Sequence, residues 1–226
     1  MRLLLPIMLL LAGGALAAAD SPVSDLPLHV AAPPGDVRGM VVLWSGDGGW
    51  GRTVRGLSDA LTEAGFGVVG VNALRYFWYE KAPGEMAEVN ARLIDHYRDL
   101  WDTDTVILAG QSFGANTLPF SWPLMKAEDR DQVSLIVLMS PFPQTEFEIT
   151  FKSMIGISHG SHDVVKAIDA LPADRVLCIL GEEERDMACS VGSPFAVSLV
   201  PGGHRYNGNS ELVSDIIVDT IQNRSP

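Results

Sequence analysis

The stretch Val106-Ile107-Leu108-Ala109-Gly110-Gln111-Ser112-Phe113-Gly114 decides the fold. Its first four residues are apolar and β-prone, as in a strand buried on both faces of a parallel sheet. Gly-x-Ser-x-Gly follows at once and opens a helical pattern. This context is typical of a nucleophile elbow, a strand-to-helix turn so tight that small residues must flank the serine. The motif alone occurs by chance, but the strand and the helix around it favour Ser112 as a nucleophile.

Similar apolar runs recur along the chain and indicate further buried strands, at 40–44, 66–71, 105–109, 133–139, 175–180 and 195–200. Apolar residues at helical spacing occupy 85–101 and 211–222. Strands that alternate with helices predict an α/β fold, with a mostly parallel sheet and helices on both faces. The irregular stretch 141–171 is expected to be an excursion or lid within a single domain.

A serine nucleophile needs a base to take its proton and an acid to orient that base. The last strand runs into Pro-Gly-Gly-His204, so we predict that His204 is the base. The preceding strand runs into an acidic loop, 182–186, which supplies the acid. Its spacing after the strand favours Glu184, whereas Asp186 is the commoner residue type in this role, and Asp163 is a more remote candidate.

A glycine-rich segment, Ser45-Gly46-Asp47-Gly48-Gly49-Trp50, follows the first clear strand. Glycines let the backbone turn toward a bound substrate. The segment predicts an oxyanion hole formed by the N–H of Asp47, or a neighbouring N–H, together with the N–H of Phe113. A plain glycine turn is the alternative. The Asp47 carboxylate is not needed for that role and is a candidate to bind a cationic group.

Residues 1–19 have the features of a secretory signal peptide: an N-terminal positive charge, a short apolar run and small residues before the cleavage point. We therefore expect a periplasmic mature chain, 20–226, that forms one domain. An oxidising compartment permits disulfides, and we predict that Cys178 and Cys189 pair and hold the loop between them. A free, buried Cys178 is the alternative.

The chain is acidic, with 28 Asp and Glu against 16 Lys and Arg and a formal net charge of −12. This charge disfavours a nucleic-acid partner, because phosphate backbones are bound by cationic surfaces. The spacing of His, Cys and acidic residues does not predict a zinc site, so no metal is expected. Serine-based ester hydrolysis also needs no organic cofactor.

Five strings carry a resemblance: SGDGGW (45–50), LRYFW (74–78), GQSFGANTLPF (110–120), GEEERDMAC (181–189) and GGH (202–204). They resemble the bacterial virulence protein family of VirJ and the C-terminal half of AcvB, over most of residues 40–212. The resemblance implies an α/β-hydrolase fold and a periplasmic serine hydrolase that releases lysine or alanine from aminoacyl-phosphatidylglycerol. It also implies, for some members, a link to type IV secretion. By motif, Ser112 is the nucleophile and His204 the base.

The implied substrate is an aminoacyl phospholipid at a membrane surface. Its ammonium group would be attracted to an acidic mouth lined by Asp47 and the 182–186 loop. Trp50, Tyr76 and Trp78 are the aromatic candidates for substrate binding, because aromatic residues suit the level where acyl chains meet headgroups. A core position for Phe77 and a lid position for Trp78 are the alternative.

Two other functions stay open. One is a non-catalytic interaction protein of a secretion apparatus that keeps the fold. The other is a general carboxylesterase or lipase. Ser112, His204, an acid and a glycine-rich loop occur together in the expected order, and packing alone requires none of them. The combination therefore favours an enzyme.

Overall fold

The structure is a computed structural model that describes residues 23–150 and 160–224. The predicted signal peptide, 1–19, lies outside the described residues. The strands are β1 Leu28–Ala31, β2 Gly39–Trp44, β3 Phe66–Val71, β4 Val106–Gln111, β5 Val133–Met139, β6 Gln144–Thr145, β7 His162–Asp163, β8 Val176–Gly181 and β9 Ala196–Val200. The helices are α1 Arg52–Glu63, α2 Ala73–Tyr76, α3 Pro83–Trp101, α4 Phe113–Ser121, α5 Ala127–Gln132, α6 Val164–Asp169 and α7 Ser210–Gln222.

The main sheet of the described chain has the strand order β1-β3-β2-β4-β5-β8-β9. Every neighbouring pair is parallel except β1 with β3. The six predicted strands all lie in this sheet, so the prediction of a mostly parallel α/β fold is confirmed. The antiparallel edge strand β1 was not predicted, because it is a four-residue strand without a continuous apolar run.

The central strands are buried on both faces because helices cover both. In β2, Met40 and Val42 enter one core cluster, whereas Val41 and Leu43 enter the other, as the two-residue period of a strand requires. Helices α1 and α7 complete the second cluster, and α3 and α4 complete the first. Within the described chain, no helix is both long enough and apolar enough to cross a bilayer.

The described parts of the excursion, 141–150 and 160–171, pack against the domain. The backbone of Lys81 donates to the carbonyl of Phe147, and that of Ile149 donates to the carbonyl of Phe77. Phe147 and Ile149 are buried in the core that contains Phe77. The two short strands β6 and β7 pair with each other and lead into α6.

The two cysteines form a disulfide, as the sequence predicts. Cys178 lies on β8, and Cys189 lies in the loop that follows this strand. Both are buried, with exposed fractions of 0% and 2%. The disulfide ties the loop back to β8, and it therefore restrains the acidic residues between the two cysteines.

Candidate active site

Ser112 sits at a sharp turn between β4 and α4. Its backbone has φ 53° and ψ −115°, a strained conformation for a residue with a side chain. The flanking glycines are sterically required: a Cβ on Gly110 would lie 2.5 Å from the Gly114 carbonyl carbon, and one on Gly114 would lie 2.6 Å from the Trp44 oxygen. The Ser112 N–H donates to the Met139 carbonyl at 2.8 Å. The turn thus has the geometry of a nucleophile elbow.

Ser112, His204 and Glu184 form a continuous hydrogen-bonded chain. The Oγ of Ser112 lies 2.8 Å from Nε2 of His204, and Nδ1 of His204 lies 2.7 Å from Oε1 of Glu184. An ionised carboxylate only accepts hydrogen bonds, so Nδ1 carries the proton. Nε2 is then free to accept the Ser112 proton, which is the arrangement of a Ser-His-acid triad.

Glu184 is buried and fully hydrogen-bonded. Its side chain is 6% exposed, and its Oε2 accepts bonds from Ser140 Oγ at 2.6 Å and from the Gly181 N–H at 2.7 Å. Burial acts to raise the pKa of Glu184, but the bonds from His204, Ser140 and Gly181 outweigh burial and hold the pKa below its usual value. The carboxylate is therefore kept ionised beside the imidazole.

Ser140 and Tyr206 extend this chain behind Glu184. Ser140 directly follows β5, is fully buried and has a positive φ of 52°. Its Oγ donates to Glu184 and lies 2.7 Å from the Tyr206 hydroxyl, so Tyr206 donates to Ser140. Burial raises the pKa of Tyr206, which keeps the phenol protonated as a donor. Neither residue was predicted from the sequence, although the place of Ser140 directly after a buried strand is a usable signal.

Asp186 does not contact His204. A tight turn, in which the Glu184 N–H donates to the Gly181 carbonyl at 3.0 Å, directs Glu184 back toward the end of β8. Asp186 lies beyond this turn, is exposed and has a φ of 57°. Asp163, the remote candidate, caps α6 by accepting from the Lys166 N–H. Of the three acids considered, only Glu184 reaches the imidazole.

The predicted oxyanion loop approaches the serine. A Cβ on Gly46 would lie 3.4 Å from the Ser112 Cβ, so no side chain separates them. Within the described residues, neither the Asp47 N–H nor the Phe113 N–H has a hydrogen-bond partner. Phe113 is the first residue of α4, where an N–H has no partner inside the helix. Two donors are thus available beside Ser112.

An open groove of about 1020 Å³ leads away from Ser112 and His204. Its walls are the loop after β2, the first turn of α1, the 203–208 loop and the start of α7, and Asp47 and Gln111 also line it. On the other side of the imidazole, Phe142 packs on His204 with a centroid distance of 5.1 Å. The backbone of Phe142 is fixed by Asn116, whose Oδ1 accepts its N–H at 2.7 Å.

The three aromatic candidates do not line this groove. Trp50 stacks on His29 with ring centroids 4.8 Å apart and covers Gly70 on β3, so its side chain lies away from the groove. Tyr76 is half-buried and packs edge-on against Trp44, and it does not line the groove either. Trp78 is 57% exposed and lies outside the groove.

Nothing in the described ranges forms a metal centre: no group of three or more His, Cys, Asp or Glu side chains there is arranged to hold an ion. His204, the one histidine that contacts Ser112 in the described chain, is bound on both ring nitrogens by Ser112 and Glu184.

Solved structures share this fold at low sequence identity. Est1E from Butyrivibrio proteoclasticus matches with a TM-score of 0.61 and 15% identity, over 87% of this chain and 93% of that chain. MenH from S. aureus matches with a TM-score of 0.61 and 12% identity, over 87% and 98%. The fold is thus that of the α/β-hydrolases. A comparison with curated proteins finds no match. The family described as bacterial virulence protein (VirJ) matches residues 38–225, and the chain therefore belongs to the VirJ family.

Proposed function

We propose that this protein is an exported serine esterase that hydrolyses the aminoacyl ester of aminoacyl-phosphatidylglycerol. The observation that carries the proposal is the hydrogen-bonded chain from Ser112 through His204 to Glu184, with distances of 2.8 and 2.7 Å. The strained elbow at Ser112 and the unpartnered N–H groups of Asp47 and Phe113 support the same chemistry. A protein that only binds a partner would need none of these.

The reaction follows from the positions of the protons. His204 Nε2 accepts the Oγ proton as Ser112 attacks the carbonyl carbon, and the oxyanion forms beside the N–H groups of Phe113 and Asp47. When the tetrahedral intermediate collapses, the alcohol oxygen leaves with the proton from Nε2, and the amino acid stays as an ester on Ser112. A water molecule repeats the sequence and releases the free amino acid. Glu184 stays ionised throughout and stabilises the imidazolium.

The aminoacyl group is suggested by the family and by charge. The resemblance to VirJ and AcvB implies this substrate, and an amino acid ester carries an ammonium two bonds from the reacting carbonyl carbon. Asp47 lines the groove. It directly follows Gly46, and Gly46 lies against Ser112. A carboxylate at this place would attract the ammonium without contacting the oxyanion.

A membrane-facing surface is part of the proposal. Trp78, Tyr79 and Phe142 are exposed, with exposed fractions of 57%, 75% and 43%. Trp78 and Tyr79 follow α2 in the connection that leaves the carboxyl end of β3, and Phe142 lies in the excursion. Exposed aromatic side chains at the end of the molecule that bears the active site suit an interface where headgroups meet acyl chains. The export signal, the disulfide and the family description all favour a periplasmic location.

The first test is the intact mass of the mature protein after exposure to a serine-reactive phosphonate. A single adduct is expected on the wild type, none on Ser112→Ala, and a much slower reaction on His204→Ala. Circular dichroism of each variant checks that it is folded. If the folded wild type takes no adduct, the esterase proposal fails and a non-catalytic role with secretion proteins is favoured.

The second test compares lysyl- and alanyl-phosphatidylglycerol with simple acyl esters at matched concentration. We expect the aminoacyl lipids to have the higher kcat/KM, because only they place an ammonium near Asp47. Equal values for aminoacyl and simple esters would instead identify a general carboxylesterase. Asp47→Asn keeps the size of the side chain and removes its charge, so it is expected to reduce the preference.

A further inference from the structure

The groove beside Ser112 contains two arginines that the proposed chemistry does not use. Arg52 begins α1 and Arg205 follows the base, and both line the groove with Ser112 and His204. Both are exposed. Neither guanidinium group forms a hydrogen bond or an ion pair with any described residue. In a chain with a net charge of −12, two unpaired cations on one groove make a local anion-attracting field.

The N-terminus of α1 opens onto the same groove. Its cap, Gly51, has no side chain to accept a hydrogen bond, and the first turn contains no acidic residue. The N–H groups of Arg52, Thr53 and Val54 have no partner in the described chain. By contrast, α7 is capped by Asn209, which accepts from the Leu212 N–H at 3.2 Å. Helix α1 has 12 residues, and the positive end of its dipole faces the groove without a capping side chain or an acidic residue in its first turn.

Gln111 gives an independent indication of a ligand. Gln111 is 8% exposed and lines the groove. It directly precedes Ser112 in the sequence. Its Oε1 lies 2.7 Å from where a Cβ on Gly46 would stand, so the amide is packed against the groove wall. The amide has no hydrogen-bond partner among the described residues. Because the amide faces the open groove, its N–H is free to donate to an anion bound there.

We propose that this part of the groove binds the phosphate group of the ester substrate, through Arg52, Arg205, the first turn of α1 and Gln111. The proposal rests on the proposed function and extends it to the alcohol side of the ester. In an aminoacyl-phosphatidylglycerol, three glycerol carbons separate the ester oxygen from the phosphate, whereas the ammonium lies on the acyl side. The groove then has a negative charge at Asp47 for the ammonium of the substrate and positive charges at Arg52 and Arg205 for its phosphate.

The phosphate subsite is tested by direct binding. Calorimetry on Ser112→Ala uses two probes, glycerophosphoglycerol as the headgroup without an aminoacyl ester and inorganic phosphate. Glycerophosphoglycerol is expected to bind at least as tightly as inorganic phosphate, and Arg52→Ala to weaken it about tenfold, the effect of one partly exposed charge-assisted bond. Arg52→Lys keeps the charge but loses the planar fork, so an intermediate loss is expected. Arg55→Ala is the matched control, because Arg55 lies on α1 but bonds the Trp50 carbonyl outside the groove.

The same variants are then assayed with the aminoacyl lipid and with a neutral chromogenic ester. Arg52→Ala is expected to lower the ratio of kcat/KM between the lipid and the neutral ester about tenfold. Binding of neither probe, or an unchanged ratio, overturns the subsite. Binding of inorganic phosphate alone overturns the assignment to the headgroup. If the lipid is not a substrate but glycerophosphoglycerol binds through Arg52, the subsite stands and the proposed substrate fails.

Discussion

Replacing Ser140 by Ala removes one hydroxyl from behind the candidate acid. In the wild type this hydroxyl donates to Glu184 at 2.6 Å, accepts from Tyr206 at 2.7 Å and is fully buried. Alanine fits the same space and the same backbone conformation about as well as serine does. The variant therefore isolates the hydrogen bond to the carboxylate.

The magnitude follows from the partners that remain. A hydrogen bond to a charged group contributes about 1.5–3 kcal/mol. Glu184 keeps its bonds from Gly181 and His204. The Tyr206 hydroxyl, which donates its one proton to Ser140 in the wild type, donates instead to the Ile179 carbonyl 3.3 Å away, so no group is left without a partner. We therefore expect Ser140→Ala to lower the free energy of unfolding by about 2 kcal/mol at pH 7.5, toward the lower end of that range.

The decrease in the free energy of unfolding caused by Ser140→Ala is expected to depend on pH. The folded pKa of Glu184 lies below its usual value of 4.5, so its ionised form contributes stability that is complete above that value and is lost as the pH falls through the folded pKa. Losing the Ser140 bond moves the folded pKa upward. The difference in free energy of unfolding between wild type and Ser140→Ala is then full at pH 7.5. It shrinks as the pH falls through the folded pKa of Glu184 in the variant and then through that in the wild type.

Urea unfolding at pH 7.5 and pH 3.5 measures this difference. Ser121→Ala is the matched control, because Ser121 is also fully buried but bonds only the Leu118 carbonyl and the Asn90 amide. Its cost is expected to be about 1–3 kcal/mol, because the buried Asn90 Nδ2 loses its partner, and to be independent of pH. The reasoning would be refuted if Ser140→Ala cost the same at both pH values.

The choice of acid is tested with a neutral chromogenic ester: Glu184→Gln is expected to lower kcat by about 10⁴, whereas Asp186→Asn stays within about twofold. The reverse order would show that the loop rearranges on binding. Replacing Cys178 and Cys189 together by Ala is expected to lower the free energy of unfolding by about 3 kcal/mol, from the 11-residue separation, and an unchanged urea midpoint would contradict it. Trp78→Ala is expected to weaken sedimentation with phosphatidylcholine vesicles about tenfold, and unchanged partitioning would exclude a lipid contact at this residue.

The main sheet could be predicted because its strands are buried on both faces. Such strands are continuous apolar runs, and all six predicted strands lie in the sheet within one or two residues of their predicted ends. The edge strand β1 escaped prediction for the opposite reason. It has one neighbour, and its residues are exposed or half-exposed, so burial imposes no pattern on its sequence.

The candidate functional residues divide in the same way. Ser112 and His204 could be predicted to meet because each follows a buried strand directly or after a short glycine turn. Arg52 and Arg205 could not, because one begins α1 and the other follows β9, and only the tertiary fold places both on one groove. The position of Trp50 has a related cause: the glycine segment lines the groove, but the Trp50 side chain turns back over β3.

The acid was ambiguous in sequence because spacing does not fix the path of a loop. Here the path is fixed by close contacts at the end of β8. A Cβ on Gly181 would lie 2.6 Å from the Gly202 and Gly203 oxygens, so the loop that carries His204 can approach only because residue 181 is glycine. The Gly181 N–H then bonds Glu184, and the disulfide holds the far end of the loop at β8. Because these ties lie on either side of Glu184, the loop presents this carboxylate to His204 and leaves the neighbouring acids in solvent.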